Sequence, residues 1–240
     1  MMMNQRENDF MYSGTLPNTK EFSDGLRQYM MKIYNTMTIG LVITGLTSYA
    51  VANSPAISFF MQPSATWILL LGMLAFILIG FNPKRIWRSS TAAMKLTFYG
   101  FSAFLGAFYS TYVVLYTGES LARVFFVTAA TFLAMSLWGY TTKKDLSSMG
   151  SFLMMGVFGL IIAMVVNIFL QSPMLHFIYS AAGVVIYTLL TAFDTQNLKR
   201  TYLANHGQGI EDKMAVFGAL SLYLNFVLLF QFLMNFMGQR

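Results

Sequence analysis

Asp194 is the one residue in the apolar part of this chain whose type alone demands a chemical explanation. It is the only acidic residue inside any long apolar run of the sequence. A carboxylate in hydrocarbon is costly, so by default it marks an ion or proton site. It lies near the C-terminal end of its helix, where the macrodipole disfavours an anion. Protonation, a cationic partner or contact with water would each relieve that cost. Helical spacing extends the feature. His176, Ser180, Gly183, Tyr187, Thr191 and Asp194 step by three or four, and so fall within an arc of roughly 80°. One seam of this helix is polar or small from end to end. Gly218, Ser221, Asn225, Gln231 and Asn235 form a second, broader seam on the next apolar run, over roughly 140°. Such seams either line a path or join helices, since small-xxx-small contacts and interhelical hydrogen bonds also serve as glue.

Other chemistries lack their residues. The chain contains no Cys, which removes disulfides, thiolate catalysis and thiolate metal sites. GxSxG, HExxH, Walker and GxGxxG patterns are not present. The last apolar run has no Lys for a retinal Schiff base. No nucleophile with a matching base stands out, so the chain does not read as an enzyme. No cofactor is indicated. The formal charge of +6 belongs to the connectors of a membrane protein and does not indicate a nucleic-acid partner.

The elements that position these residues follow from composition. The 240 residues are 56% hydrophobic and 10% charged, against about 25% charged in a soluble domain. Lipid is the natural solvent for such a chain. A bilayer core needs about 20 apolar residues per helix. Runs of that kind lie near 32–52, 64–82, 95–116, 122–140, 151–171, 174–196 and 214–237. These predict an all-α integral membrane protein of seven transmembrane helices. Residues 1–25 read as a polar, disordered tail, and 26–240 as a single membrane domain. Small residues at packing intervals, such as Thr36, Gly40 and Thr44, Gly106 and Ser110, and Gly156 and Gly159, predict close helix contacts. Trp67 and Trp87 read as interfacial anchors.

Thirteen of the fifteen Lys and Arg residues fall on one side of a seven-span arrangement, and only Arg123 and Arg240 on the other. The positive-inside rule then predicts a cytoplasmic N-terminus and an external C-terminus. His176 and His206 lie on opposite sides and cannot share a metal.

The stretch Tyr140-Thr-Thr-Lys-Lys-Asp-Leu-Ser-Ser-Met-Gly150 resembles the segment joining spans 4 and 5 in bacterial members of the Bax inhibitor-1 family. Tyr116-Thr-Gly-Glu-Ser-Leu-Ala122, Thr191-Ala-Phe-Asp-Thr-Gln196 and Gly218-Ala-Leu-Ser-Leu-Tyr-Leu224 resemble its other motifs in the same order. The resemblance implies a bundle around the last helix and a pH-sensitive calcium leak attributed to two aspartates on the last two helices. It also implies a role in membrane stress, with a membrane protease as a partner, and a place in the bacterial inner membrane. Asp194 matches the first aspartate. Asn225 stands where many members carry the second. A carboxylate beside an amide lacks the repulsion that makes two carboxylates share a proton. On this reading Asp194 is a weak, transient calcium site with Asn225 as its partner. The path would be supplied by Thr191, Tyr187, Ser180 and His176, with Ser221 from span 7. The alternative is a membrane regulator that binds a partner and transports nothing. For Asp194 and Asn225 to meet, helix 7 must begin in the cytoplasm or be tilted.

Overall fold

The computed structural model describes residues 19–62, 89–205 and 209–239, together with Leu71, Gly72 and Phe76. In chain order the helices are α1 (Thr19–Ala52), α2 (Ile57–Phe60), α3 (Thr91–Leu115), α4 (Gly118–Thr141), α5 (Ser147–Leu170), α6 (Pro173–Asn205) and α7 (Glu211–Met237). Helices α3 to α7 are each long and apolar enough to cross a bilayer. With α1 they account for six of the seven expected spans. The remaining one, 64–82, lies outside the described residues except for Leu71, Gly72 and Phe76, and Trp67, Trp87, His206 and the residues before Thr19 lie outside them too. The protein is an all-α integral membrane protein.

Local chemistry sets the breaks. The Ser90 hydroxyl accepts from the backbone of Ala93 at 3.2 Å and opens α3. The Thr117 hydroxyl does the same for Ser120 at the start of α4. These caps satisfy amides that have no partner in the first turn. Helix α5 stops where Gln171 turns left-handed at φ 48°. The Asn167 side chain accepts from the Ser172 amide there, at 2.9 Å. Pro173 opens α6, a position where its missing N–H costs nothing.

Helix α7 is the axis. Some 61% of its apolar stretch is buried, against 11% for the peripheral α5. It packs against α6, α1, α4 and α3, so its Leu222, Tyr223, Leu229 and Met234 are enclosed from all sides. Glycines bring backbones together around it. A Cβ on Gly106 would lie 2.6 Å from the Thr44 carbonyl of α1, and one on Gly40 would lie 2.6 Å from the Phe98 ring. At Gly139 a Cβ would overlap the backbone of Ala192, which fixes the α4–α6 crossing. Gly156 meets Ile186 in the same way, at 2.9 Å. Gly159 does not act as sequence spacing predicts: nothing lies within 4 Å of its Cβ position.

Two boundaries differ from the sequence reading. Helix α1 starts at Thr19, so residues 19–25, expected as tail, are helical. The next turn buries Leu26, Tyr29 and Met30 against the bundle. Helix α6 continues to Asn205 and α7 starts at Glu211. Both therefore run beyond the apolar stretches that define their spans.

Candidate functional site

Asp194 sits on α6 eleven residues before the end of that helix, or about 16 Å of helix rise. Asn225 sits fourteen residues into α7, about 21 Å. Both helices project past their apolar stretches, and the two side chains meet between them. The Asn225 amide donates to Oδ2 of Asp194 at 2.8 Å. Ser221, one turn earlier on α7, donates its hydroxyl to the same oxygen at 2.6 Å. Charge-assisted bonds of this kind contribute about 1.5–3 kcal/mol each. Asn225 is buried, and Asp194 and Ser221 are half-buried. Among the described residues no Lys, Arg or His forms an ion pair with Asp194; Lys32 pairs with Asp212, Arg123 with Glu119 and Arg200 with Asp145.

The rest of the α6 seam is packed. Thr191 and Ser180 turn their hydroxyls back to the carbonyls of Tyr187 and His176, at 2.8 and 2.7 Å. Tyr187 stacks on Phe232 of α7 with ring centroids 5.6 Å apart. Gly183 makes room for that ring, since a Cβ there would lie 2.5 Å from it. His176 lies at the far end against Tyr179, centroids 5.1 Å apart, and does not join Asp194.

The α7 seam divides. Ser221 and Asn225 face α6, whereas Gln231 and Asn235 face α3. Tyr109 donates to Gln231 at 2.7 Å, and Tyr112 reaches Asn235 at the long limit of 3.5 Å. Leu229 and Phe232 of α7 are almost fully buried. The structure thus holds an Asp194 cluster between α6 and α7 and a tyrosine–amide cluster between α3 and α7.

Three further polar links escape the sequence reading. Tyr223 of α7 pairs its hydroxyl with that of Thr44 on α1 at 2.6 Å. Tyr34, Ser136 and Thr195 connect their hydroxyls across α1, α4 and α6. Gln196, next to the Asp194 turn, accepts from the Leu146 amide at 2.9 Å and donates to the Lys144 carbonyl at 2.8 Å. That amide clamps the α4–α5 connection onto α6. Arg200 pairs with Asp145 of the same connection at 2.6 Å. The backbone amide of Ser147, its side chain and Arg200 together hold the Asp145 carboxyl at about 2, below its ordinary 3.8. The motifs Tyr140–Gly150, Thr191–Gln196 and Gly218–Leu224 contain several of these residues, but a motif does not name its partner.

Among the described residues no group of three or more His, Cys, Asp or Glu is placed to hold a metal ion. Asp194 with Asn225 and Ser221 offers one carboxylate and two neutral oxygens. Such a set suits passing contact with a cation rather than tight capture, because calcium takes six to eight oxygens.

Comparison with known proteins matches residues 26–240 to the family described as inhibitor of apoptosis-promoting Bax1. An uncharacterised protein of Caulobacter vibrioides is 42% identical over 228 residues, covering 89% of each chain. Protein RP147 of Rickettsia prowazekii is 38% identical, over 95% of this chain and 98% of its own. Inner membrane protein YbhL of Escherichia coli is 36% identical, over 90% of this chain and 93% of its own.

Proposed function

This chain belongs to the Bax inhibitor-1 family, and from that premise we propose that it is a pH-modulated calcium leak of a bacterial inner membrane, gated at Asp194. The observation that carries the reading is the carboxylate of Asp194, held by Ser221 and Asn225 between α6 and α7. A single ionised carboxylate attracts a cation and loses that attraction when protonated. The neutral amide of Asn225 imposes no second charge, so the response to pH is shallower than a carboxylate pair would give. The inner membrane follows from the name of the Escherichia coli relative. The bias of Lys and Arg places the N-terminus and the α6–α7 connection in the cytoplasm. Asp194 then lies towards the cytoplasmic side, and the stacked rings of Tyr187 and Phe232 lie beyond it.

That packed ring pair also favours a second reading, a regulator that binds a membrane protein such as a protease and transports nothing. Helix α5 supports it: α6 is its main neighbour, and Phe152, Met155, Ile162 and Phe169 lie exposed along it.

Calcium flux through purified protein in sealed liposomes separates the two. The leak reading expects flux above empty liposomes, and loss of that flux or of its pH dependence in Asp194→Asn. Flux equal to empty liposomes in the wild type rejects the leak and leaves partner binding.

A further inference from the structure

The end of α3, the start of α4 and the end of α7 gather at one end of the bundle. The Thr117 amide donates to the Gln239 carbonyl at 3.3 Å, and the Gln239 amide donates to the Ser120 hydroxyl at 2.8 Å. Below this end lies a cavity of about 490 Å³, bounded by α1, α3, α4 and α7. Among the described residues of its wall none is charged, and Asp194, Ser221 and Asn225 are not part of it. Gly45 of α1 and Gly118 of α4 line it, and nothing lies within 4 Å of the Cβ position of either. Its floor is α7, where Phe226 is buried.

The cavity opens sideways into the membrane. Tyr49 and Phe126 belong to its wall and are also exposed. Among the described residues α1 packs chiefly on α3 and α7, and α4 on α6 and α7, so α1 and α4 border the cavity without closing over it. Leu41 and Phe226 each lie eleven residues from the end of their helix on this side, about 16 Å of helix rise. Half of a bilayer core of about 30 Å is of the same depth. The cavity therefore runs through one leaflet.

The wall defines what fills it. An apolar void forfeits dispersion contacts along its lining, and water needs two to four polar partners to occupy one. Thr44 and Tyr109 already bond to Tyr223 and Gln231. Ser48 is buried, and its hydroxyl makes no hydrogen bond among the described residues. It stands with Tyr49 near the end of α1, whereas Leu41 and Phe226 line the deep part. The lining thus suits a long apolar chain with one polar end at the membrane surface. We propose that an acyl chain of a neighbouring phospholipid lies in this cavity, entering between α1 and α4, with its ester end at Ser48 and its methyl end against Leu41 and Phe226. The proposal does not rest on any role of Asp194.

The full chain is reconstituted in vesicles of phosphatidylethanolamine and phosphatidylglycerol that carry a small fraction of a photoactivatable phosphatidylcholine. Its diazirine sits near either the methyl end or the ester end of one chain, and labelled residues are mapped by mass spectrometry. Phe226 and Leu222 are both buried on α7, but only Phe226 lines the cavity. Phe158, exposed on α5, reports ordinary contact with lipid. The methyl-end probe is expected to label Phe226 as strongly as Phe158 and to leave Leu222 unlabelled; the ester-end probe is expected to label Ser48 and Tyr49. Gly45→Phe fills the cavity and should lower labelling of Phe226 several-fold with Phe158 unchanged. If that variant does not fold, Gly118→Leu fills it from α4. Phe226 as unlabelled as Leu222 overturns the proposal, and a crosslinked dimer in the same vesicles would then give the opening to a second copy. Labelling of Phe226 that survives filling, or the two probes in reversed order, overturns it as well.

Discussion

Asn225 donates its side-chain amide to Asp194 across 2.8 Å, on the same carboxylate oxygen that Ser221 holds at 2.6 Å. That contact replaces the second charge of a carboxylate pair with a neutral donor. Asn225→Asp would set two carboxylates at hydrogen-bond distance, and such a pair holds one proton between them. Calcium flux in liposomes is expected to become steeply pH-dependent in this variant, closing or opening over a narrow range. A profile as shallow as that of the wild type would show that Asn225 does not set the pH response.

Phe232 fills the notch at Gly183 and stacks on Tyr187. Removing the ring leaves a void beside Tyr187 and Gly183, about two to three helical turns along α6 from Asp194, which water can enter. Phe232→Ala is expected to raise basal calcium flux several-fold. It should also lower thermal stability in detergent by about 3–5 kcal/mol. Lower stability with unchanged flux would place the barrier elsewhere than at this ring.

The spans that carry the site are legible in the sequence because long apolar runs end at residues with a reason to end them, such as Thr117 and Pro173. What hydropathy does not see is helix that continues through polar residues. Asn197 to Asn205 stay helical beyond the apolar stretch of α6, so Asp194 stands well inside a continuous helix, opposite Asn225. Helical spacing puts Ser221, Asn225, Gln231 and Asn235 within one broad arc of α7. It carries no information on which neighbour covers each part of a 140° arc, and the structure assigns two turns to α6 and two to α3. The Gln196 clamp lies fifty residues from its partners in the chain, so no local pattern announces it. Gly139 and Gly159 look equivalent as sequence and differ wholly in what surrounds them.

That last difference is measurable. Gly139→Ala forces a methyl into the backbone of Ala192, and overpacking of this kind costs about 1–3 kcal/mol. Gly159→Ala meets open space and gains helix propensity, up to about 1 kcal/mol. Thermal unfolding in detergent is expected to shift down for the first and to hold or rise for the second. Equal shifts would mean that the α4–α6 crossing is looser than the contact at Ala192 indicates.

Gln196→Leu tests the clamp on the α4–α5 connection. The substitution keeps bulk and strands the Leu146 amide and the Lys144 carbonyl, each at a cost of about 1–3 kcal/mol where buried. Amide exchange at 142–147 should accelerate by more than tenfold while exchange in the core of α7 stays near wild type. Uniform acceleration across all helices would point instead to global destabilisation.

Asp145 gives a pH dependence with a definite sign. Its folded-state value, about 2, is depressed from 3.8 by the Ser147 amide and side chain and by Arg200. A depressed carboxylate stabilises the folded state above its unfolded value and loses that contribution as pH falls through the folded one. The group is fully solvent-exposed, so salt screens the part that comes from Arg200. Asp145→Asn is therefore expected to lower the melting temperature by a small, constant amount between pH 5 and 8. The gap between variant and wild type should close as pH falls from about 4 towards 2. Over pH 5 to 8 Asp145 stays ionised, so the variant should leave the pH profile of calcium flux where it was. A shifted flux profile in Asp145→Asn would move the pH sensor from Asp194 to the α4–α5 connection.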